Sequence, residues 1–199
     1  MEKFLYFLLC YLIGSIPFGY YLCKFFKNVD IRKFGSGNIG ATNVYRVFGW
    51  KLGLPVLIFD ILKGFFSILI GKSLKFQTLF ILIGGIFSIF GHSFPIFLKG
   101  RGGKGVATSF GVIIGLVPLP AFIAFFIWLI IVFLTRFVSL GSLIGAFSLP
   151  FLIYFYKGEK LLLFVGIFIS IFILYNHREN IKRLFNKKEN KIIFPWEKR

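Results

Sequence analysis

The first segment with a composition suited to chemistry is residues 35–43, which read Gly-Ser-Gly-Asn-Ile-Gly-Ala-Thr-Asn. Glycines allow backbone N–H groups to converge on an anion, and Ser36, Asn38, Thr42 and the nearby Arg46 add side-chain donors. The segment therefore predicts a phosphate-binding loop. The alternative is a tight loop that only packs against helix ends.

A second segment, residues 100–105, reads Gly-Arg-Gly-Gly-Lys-Gly and precedes a predicted helix that begins at Val106. A helix N-terminus behind a glycine-rich loop with a central Lys104 attracts anions through backbone N–H groups and charge. The segment is not a Walker A motif, because Leu98 stands where that motif needs glycine and Gly105 where it needs serine or threonine. ATP hydrolysis is therefore not predicted. The alternative is a cytoplasmic loop whose positive charge only sets topology.

The two histidines of the sequence differ in their surroundings. His177 directly follows the last apolar run and has Arg178 and Asn180 beside it, which makes it a candidate for substrate contact or proton transfer. His92 lies near the end of an earlier apolar run. Two roles remain open for His92: a hydrogen-bonded tether for a loop, or proton transfer.

Charged residues within the apolar runs are few. Asp60 and Lys63 are spaced i and i+3 in one run, so a structural ion pair is the first interpretation and substrate contact the second. No group of residues has metal-ligand spacing, so a metal site and a transferase that depends on a divalent metal are not expected. The common acyltransferase pattern of a histidine with an aspartate five residues later is also missing, because Phe97 and Lys182 stand at that position. Any acyl transfer would be direct and would depend on positioning and charge stabilisation.

The composition defines the setting for these residues. The chain has 199 residues, of which 57% are hydrophobic and only 16% charged, and its formal net charge is +17. A soluble domain of this size could not bury so much apolar surface, so the sequence predicts an all-α polytopic membrane protein. Lys and Arg cluster in short gaps between apolar runs, as the positive-inside rule expects, which argues against nucleic-acid binding. Cys10 and Cys23 belong to the first run and indicate neither a disulfide nor a metal site.

Apolar runs predict helices over residues 4–26, 52–70, 76–98, 140–156 and 161–175. The stretch 106–134 is interrupted by Pro118 and Pro120 and is either one kinked span or a pair, 106–117 and 119–134. A pair gives seven spans. It also places the basic residues of both glycine-rich loops, Arg136 and the tail on one face, whereas one kinked span nearly removes this bias.

The preferred arrangement has seven transmembrane helices, with the N-terminus outside and the C-terminus and both glycine-rich loops in the cytoplasm. Residues 1–199 form one integral-membrane domain, and residues 177–199 are its basic cytoplasmic tail. Within that tail Ile181, Leu184 and Phe185 have helical spacing, which predicts a short amphipathic helix along the membrane surface.

Three segments carry a resemblance to a known family: GSGNIGATNVYR at 35–46, GHSFPIFLKGRGGKGVAT at 91–108 and HRENIKRL at 177–184. They closely resemble the three motifs of the bacterial acyl-phosphate:glycerol-3-phosphate acyltransferases, the PlsY family. One departure is Gly100-Arg101, where family members commonly have Phe-Lys. The resemblance implies a seven-helix enzyme of the bacterial inner membrane. It would transfer a fatty acyl group from acyl phosphate to the 1-position of glycerol 3-phosphate and release lysophosphatidic acid and phosphate.

The resemblance also implies roles for individual residues. Lys104, His177 and Asn180 are expected to be catalytic. The expected substrate-binding residues are Ser36, Gly37, Asn38, Thr42, Asn43, Arg46, Lys63, Gly103, Ser142 and Arg178. Lys104, Arg46 and the loop amides would bind the acyl phosphate, while His177, Asn180 and Arg178 would orient glycerol 3-phosphate.

No cofactor and no acyl-enzyme is expected from this resemblance. The expected partners are the two substrates and the bilayer, with functional coupling to the enzyme that makes acyl phosphate and to the next acyltransferase. Two other classes remain open. They are a transporter for a phosphorylated metabolite, which would suit the intramembrane Asp60 and Lys63, and a catalytically idle scaffold.

Overall fold

The computed structural model describes residues 1–194 and 196–197. Over these residues the chain is helical and has no strand, which confirms the all-α class. The α-helices are α1 (Glu2–Ser15), α2 (Phe18–Lys27), α3 (Ala41–Phe48), α4 (Trp50–Ser73), α5 (Thr78–Ser93), α6 (Val106–Leu116), α7 (Pro118–Thr135), α8 (Val138–Tyr156), α9 (Lys160–Asn176) and α10 (Arg178–Phe185). Two short 3-10 helices cover Ile31–Lys33 and Ile96–Leu98.

By length and composition alone, fewer segments of the described residues qualify as membrane spans than the predicted seven. In the described residues five segments are long and apolar enough: Glu2–Lys27, Trp50–Ser73, Thr78–Leu98, Pro118–Thr135 and Val138–Tyr156. A sixth is counted if α9 and α10, which meet at a bend of 61°, form one broken span. Helix α6 has only 11 residues, and a helix rises about 1.5 Å per residue, so α6 is about half as long as the apolar thickness of a bilayer. Helix length by itself therefore identifies five or six spans, and the count of seven remains a prediction.

The first apolar run is not one continuous helix as predicted. Helix α1 ends at Ser15 and α2 begins at Phe18, with Ile16 in an extended conformation (φ −63°, ψ 112°). Pro17 causes this break, because it has no N–H to donate and its ring disfavours helix at the preceding residue. The break takes the Ile16 carbonyl out of the regular helical ladder.

The second proline-interrupted stretch behaves as the preferred prediction states. Helix α6 ends at Leu116 and α7 begins at Pro118, so residues 106–134 form a helical pair. Pro118 and Pro120 lie in the first turn of α7, where a missing N–H removes no helical hydrogen bond. The predicted helix in the tail is also confirmed as α10.

Helix α3 is the element that the sequence did not predict. Residues 41–48 were expected to continue the first loop, but they form a helix flanked by Gly40 and Gly49. The helix is two turns long and begins with Ala-Thr-Asn, a composition that is equally typical of a loop. Thr42, Asn43 and Arg46 are therefore helical residues, with fixed relative positions.

The described chain divides into two compact units, Met1–Gly115 and Leu116–Glu197. In the first unit α1 and α4 both pack against α5, and α3 packs against α4. In the second unit α8 packs against both α7 and α9. Part of the predicted tail, namely Pro195, Lys198 and Arg199, lies outside the described residues.

Candidate active site

The side chain of Asn43 determines the shape of the first glycine-rich segment. Its Oδ1 accepts a hydrogen bond from the Ser36 N–H (2.8 Å), and its Nδ2 donates to the carbonyls of Phe34 (3.0 Å) and Asn38 (2.8 Å). Asn43 is only 2% exposed. Its amide is therefore engaged with the loop backbone, which folds around it.

Gly35 meets two requirements of the same loop. Its φ is +58°, a left-handed conformation that side chains other than glycine adopt at a cost, and a Cβ at this position would overlap Oδ1 of Asn43. Gly35 thus allows the backbone to turn directly over the Asn43 amide.

An apolar cluster and an ion pair anchor the start of this loop. Ile31, Ile39 and Val44 are buried together with Cys23 and Val56. Nearby, the Asp30 carboxylate accepts from the backbone N–H of Arg32 (3.0 Å) and from its guanidinium (2.7 Å to Nη2). The hydrogen bonds from the Arg32 side chain hold the pKa of the Asp30 carboxyl below its ordinary value.

The exposed part of the loop presents donors for an anion. Ser36 and Gly37 are exposed, whereas Thr42 and Arg46 are partly buried and lie one turn apart on the same side of α3. The α3 N-terminus adds backbone N–H groups that no helical carbonyl accepts. These groups together suit a phosphate.

The second glycine-rich segment contacts the first. The Asn38 Oδ1 accepts from the Gly40 N–H (2.8 Å), while its Nδ2 donates to the carbonyl of Gly102 (3.3 Å). The backbone of Gly103, next to Lys104, donates to the carbonyl of His92 (3.0 Å). One asparagine thus joins the loop that precedes Arg46 to the loop that contains Lys104.

Asp60 and Lys63 form the predicted ion pair. Lys63 Nζ lies 2.8 Å from Asp60 Oδ1, and the two side chains are 2% and 3% exposed. His92 Nδ1 lies 3.5 Å from the same carboxylate oxygen. The sequence has no local sign that His92 meets Asp60, because the two residues belong to different helices and only the packing of α4 on α5 brings them together.

His177 lies at the bend between α9 and α10 in the second unit. It is 3% exposed, and its Nδ1 is 2.8 Å from the carbonyl oxygen of Ile173. A carbonyl only accepts, so Nδ1 carries the hydrogen, and Nε2 of the neutral ring is an acceptor. Contact of Nε2 with a substrate hydroxyl remains a prediction.

Asn180 is held by Glu189, a residue that no sequence motif singled out. Oε1 of Glu189 accepts from Asn180 Nδ2 (2.7 Å) and Ser139 Oγ (2.8 Å), and its Oε2 accepts from Arg183 Nε (2.8 Å). Burial disfavours ionisation of Glu189, but these hydrogen bonds outweigh it and hold the pKa of the carboxyl below its ordinary value. The sequence offered only a weak signal, because Glu189 is one of three glutamates in the strongly basic tail, with Glu179 and Glu197.

The tail returns to the second unit, and this brings Glu189 to Asn180. The backbone N–H of Ile192 donates to the carbonyl of Arg136 (2.8 Å), and Arg136 pairs with Glu197 (2.6 Å). Both contacts are made at the turn between α7 and α8, which ends just before Ser139.

The two remaining predicted residues of this unit have local partners. Ser142 is buried, and its Oγ donates to the carbonyl of Val138 (2.9 Å) within α8. Arg178 is exposed, donates to the carbonyl of Tyr175 (3.2 Å) and lies over that tyrosine ring. Contact of Ser142 and Arg178 with a substrate remains a prediction.

These features define a class: an all-helical membrane protein with paired glycine-rich loops suited to phosphate groups. The sequence profile described as glycerol-3-phosphate acyltransferase matches residues 4–187. The chain is 42% identical over 194 residues to a glycerol-3-phosphate acyltransferase of Fusobacterium nucleatum, covering 98% of this chain and all of that protein. The corresponding protein of Desulforamulus reducens is 44% identical over 182 residues, covering 92% of this chain and 91% of that protein. The chain belongs to the glycerol-3-phosphate acyltransferase family.

Solved structures agree with this assignment. The chain resembles PlsY (YgiH), an integral membrane glycerol 3-phosphate acyltransferase, with 39% identity, a TM-score of 0.92 and coverage of 97% of this chain and 96% of that one for the glycerol 3-phosphate form. The lysophosphatidic acid form of that protein gives a TM-score of 0.90 with the same identity and coverage. The resemblance to the PlsY family and the integral-membrane class are thereby confirmed. Glu189 lies just beyond the residues that the family profile matches.

Proposed function

We propose that this protein transfers a fatty acyl group from acyl phosphate to the 1-hydroxyl of glycerol 3-phosphate, giving lysophosphatidic acid and inorganic phosphate. The observation that carries the proposal is the hydrogen bond from Asn38 to Gly102, because it joins the loop preceding Arg46 to the loop containing Lys104. Relatives named for this acyl acceptor and a similar protein crystallised in glycerol 3-phosphate and lysophosphatidic acid forms support it.

Lys104, Arg46 and the amides of the two loops bind the phosphate of the acyl donor. Acyl phosphate is a mixed anhydride, so attack by the acceptor hydroxyl on its carbonyl carbon forms the ester bond and breaks the bond to the phosphate oxygen. Cationic and N–H donors stabilise the charge that grows on the departing phosphate. No acyl-enzyme is required, because phosphate is already a good leaving group.

His177, Asn180 and Arg178 orient glycerol 3-phosphate. The hydroxyl proton passes to a substrate phosphate oxygen, with Nε2 of His177 assisting at most. Asn180 is held by Glu189, so its amide is oriented before substrate arrives.

The proposed setting is the bacterial inner membrane, with the N-terminus outside and both glycine-rich loops and the tail in the cytoplasm. Seven membrane segments result when α1 and α2 count as one and α6 is included. The support is charge: Lys3, Lys72, Lys75, Lys157 and Lys160 are the basic residues assigned to the outer face, and the larger basic set lies on the other. Acyl phosphate is then supplied by the enzyme that makes it, and a second acyltransferase consumes the product.

The test is to supply purified protein with palmitoyl phosphate and glycerol 3-phosphate, without CoA or added metal, and to quantify both products. Wild type is expected to form lysophosphatidic acid and phosphate in equal amounts. Lys104→Ala is expected to remain folded and to lose activity by about 100-fold or more, the scale of removing one charge-stabilising donor. Lys51→Ala, which removes an exposed cation of α4, is the matched control and is expected to behave as wild type.

Two results would overturn the proposal. One is a folded wild type that forms neither product while labelled glycerol 3-phosphate crosses its vesicles, which would establish transport instead. The other is a trapped acyl-enzyme or burst kinetics, which would replace direct transfer by a covalent route.

A further inference from the structure

The charged cluster inside the first unit has no role in the chemistry proposed above. Its members, Asp60, Lys63 and His92, are all buried, and we call them the buried cluster. Lys63 Nζ contacts Asp60 Oδ1 (2.8 Å) and donates to the carbonyl of Ile16 (3.2 Å), where the helix breaks before Pro17. The cluster is therefore tied to the break between α1 and α2.

Direct substrate contact does not suit Lys63. Its side chain is 2% exposed and its ammonium already has a carboxylate and a carbonyl as neighbours. A buried ion pair is also a weak source of stability, because desolvation offsets the attraction and an apolar pair of similar volume often serves as well. The buried cluster therefore calls for an explanation other than stability.

The geometry around His92 supplies that explanation. Nδ1 of His92 is the nitrogen nearest Asp60 (3.5 Å), so the other edge of the ring points away from the carboxylate. That other edge lies against Gly103, since a Cβ on Gly103 would overlap Nε2 of His92. The Gly103 N–H also donates to the His92 carbonyl (3.0 Å). Both the ring and the backbone of His92 therefore support the residue that precedes Lys104.

We propose that Asp60 and His92 are positioning residues for the phosphate loop, with Lys63 holding the Asp60 carboxylate in place. The proposal rests on the proposed function, because it assigns the orientation of Lys104 as the purpose of the cluster. Asp60 fixes the rotation of the imidazole, the imidazole fixes the path of residues 102–104, and that path aims Lys104 at the donor phosphate.

The contact between His92 and Gly103 can be tested by a double-mutant cycle. Gly103 does not have a positive φ, so Gly103→Ala introduces a clash with the imidazole without straining the backbone. We expect Gly103→Ala to raise KM for palmitoyl phosphate and Kd for inorganic phosphate by about tenfold or more, the effect of one misplaced charge-assisted contact. Because His92→Ala removes the clashing ring, adding Gly103→Ala to it is expected to change neither constant by more than about twofold.

The role of the ion pair can be tested without leaving a buried charge. Asp60→Asn combined with Lys63→Met removes both charges and keeps approximate volumes, so the protein is expected to fold. We expect a KM for palmitoyl phosphate and a Kd for inorganic phosphate about tenfold above wild type. The kcat of this double variant is expected to change by less than about threefold, because Lys104 still reaches the phosphate in saturated enzyme.

Two results would overturn the positioning role. The first is additive effects of Gly103→Ala and His92→Ala. The second is a wild-type KM for palmitoyl phosphate and a wild-type Kd for phosphate in the Asp60→Asn, Lys63→Met double variant, which we call the neutral pair. If the neutral pair fails to fold, the double-mutant cycle decides alone. The binding of inorganic phosphate separates this proposal from the proposed function. A wild type that binds phosphate without forming lysophosphatidic acid refutes the acyl transfer. The phosphate Kd values of the variants then still test the positioning of the loop. A wild type without phosphate binding refutes both.

Discussion

The side-chain amide of Asn38 donates to the carbonyl of Gly102 at 3.3 Å and so joins two segments that are 64 residues apart in the chain. The same amide accepts from the Gly40 N–H through its other atom. Asn38 therefore shapes its own loop with one end and holds the second loop with the other. Arg46 and Lys104 owe their relative placement in part to this one side chain.

Asn38→Asp is expected to separate these two roles. Aspartate keeps the oxygen that accepts from Gly40 but replaces the donor to Gly102 by a second acceptor. KM for palmitoyl phosphate is expected to rise by about tenfold, with the unfolding temperature close to wild type. Steady-state kinetics and thermal unfolding in detergent measure the two effects.

The added negative charge of this variant could itself repel phosphate, and salt distinguishes the causes. Repulsion between exposed charges weakens as ionic strength rises, whereas a lost hydrogen bond does not return. Asn186→Asp adds the same charge at the exposed end of α10 and is the matched control. An Asn38→Asp KM that falls to the wild-type value in high salt would contradict the bridging role.

Gly35→Ala is expected to distort the first loop beyond the cost of its backbone conformation. The left-handed φ of Gly35 costs about 1 kcal/mol for alanine, and the new Cβ also overlaps the Asn43 amide that organises the loop. Gly158→Ala is a suitable control, because its φ is +65° but the nearest atom to a Cβ is 3.7 Å away. We expect Gly35→Ala to lose activity by about tenfold or more while Gly158→Ala retains it. Equal activity of the two variants would show that the Asn43 contact is unimportant.

Glu189→Gln is expected to loosen Asn180 and the tail. The glutamine amide cannot accept from all three donors, so at least one of Asn180, Ser139 and Arg183 loses its partner. We expect a loss of about 2 kcal/mol in unfolding free energy, the scale of a hydrogen bond to a charged group, and a lower kcat. Glu179→Gln, an exposed carboxylate of α10, should leave both quantities unchanged. A wild-type kcat in a destabilised Glu189→Gln protein would limit Glu189 to a structural role.

Acid is expected to remove the Glu189 contribution in a defined direction. The folded pKa of Glu189 lies below its ordinary value, so the unfolded chain takes up a proton first as the pH falls. The stabilisation is complete at neutral pH and declines below about pH 4, the ordinary range for glutamate. The difference in stability between wild type and Glu189→Gln, followed by chemical unfolding from pH 7 to pH 3, should therefore shrink. A stability difference between wild type and Glu189→Gln that grows as the pH falls would contradict a lowered pKa of Glu189 in the folded protein.

Much of the protein follows from the sequence because local patterns suffice. Apolar runs separated by basic gaps identified the membrane class, and the two prolines at 118 and 120, together with the distribution of basic residues, predicted the α6–α7 pair. The i, i+3 spacing of Asp60 and Lys63 predicted their ion pair, since both residues lie on one helix. The motifs at 35–46, 91–108 and 177–184 indicated the glycerol-3-phosphate acyltransferase family, to which the chain belongs.

Only the tertiary structure decided how side chains from distant segments meet. The contacts from Asn38 to Gly102 and from His92 to Asp60 join distant segments, and those from His92 to Gly103 and from Glu189 to Asn180 require the chain to fold back on itself in a way that residue type and spacing do not encode. Helix α3 was also missed, because a two-turn helix has too little intrinsic stability to leave a distinct local pattern and is held by its apolar contacts with α4. Residue type and spacing therefore determined which groups could bind phosphate, and packing decided which of them contact one another.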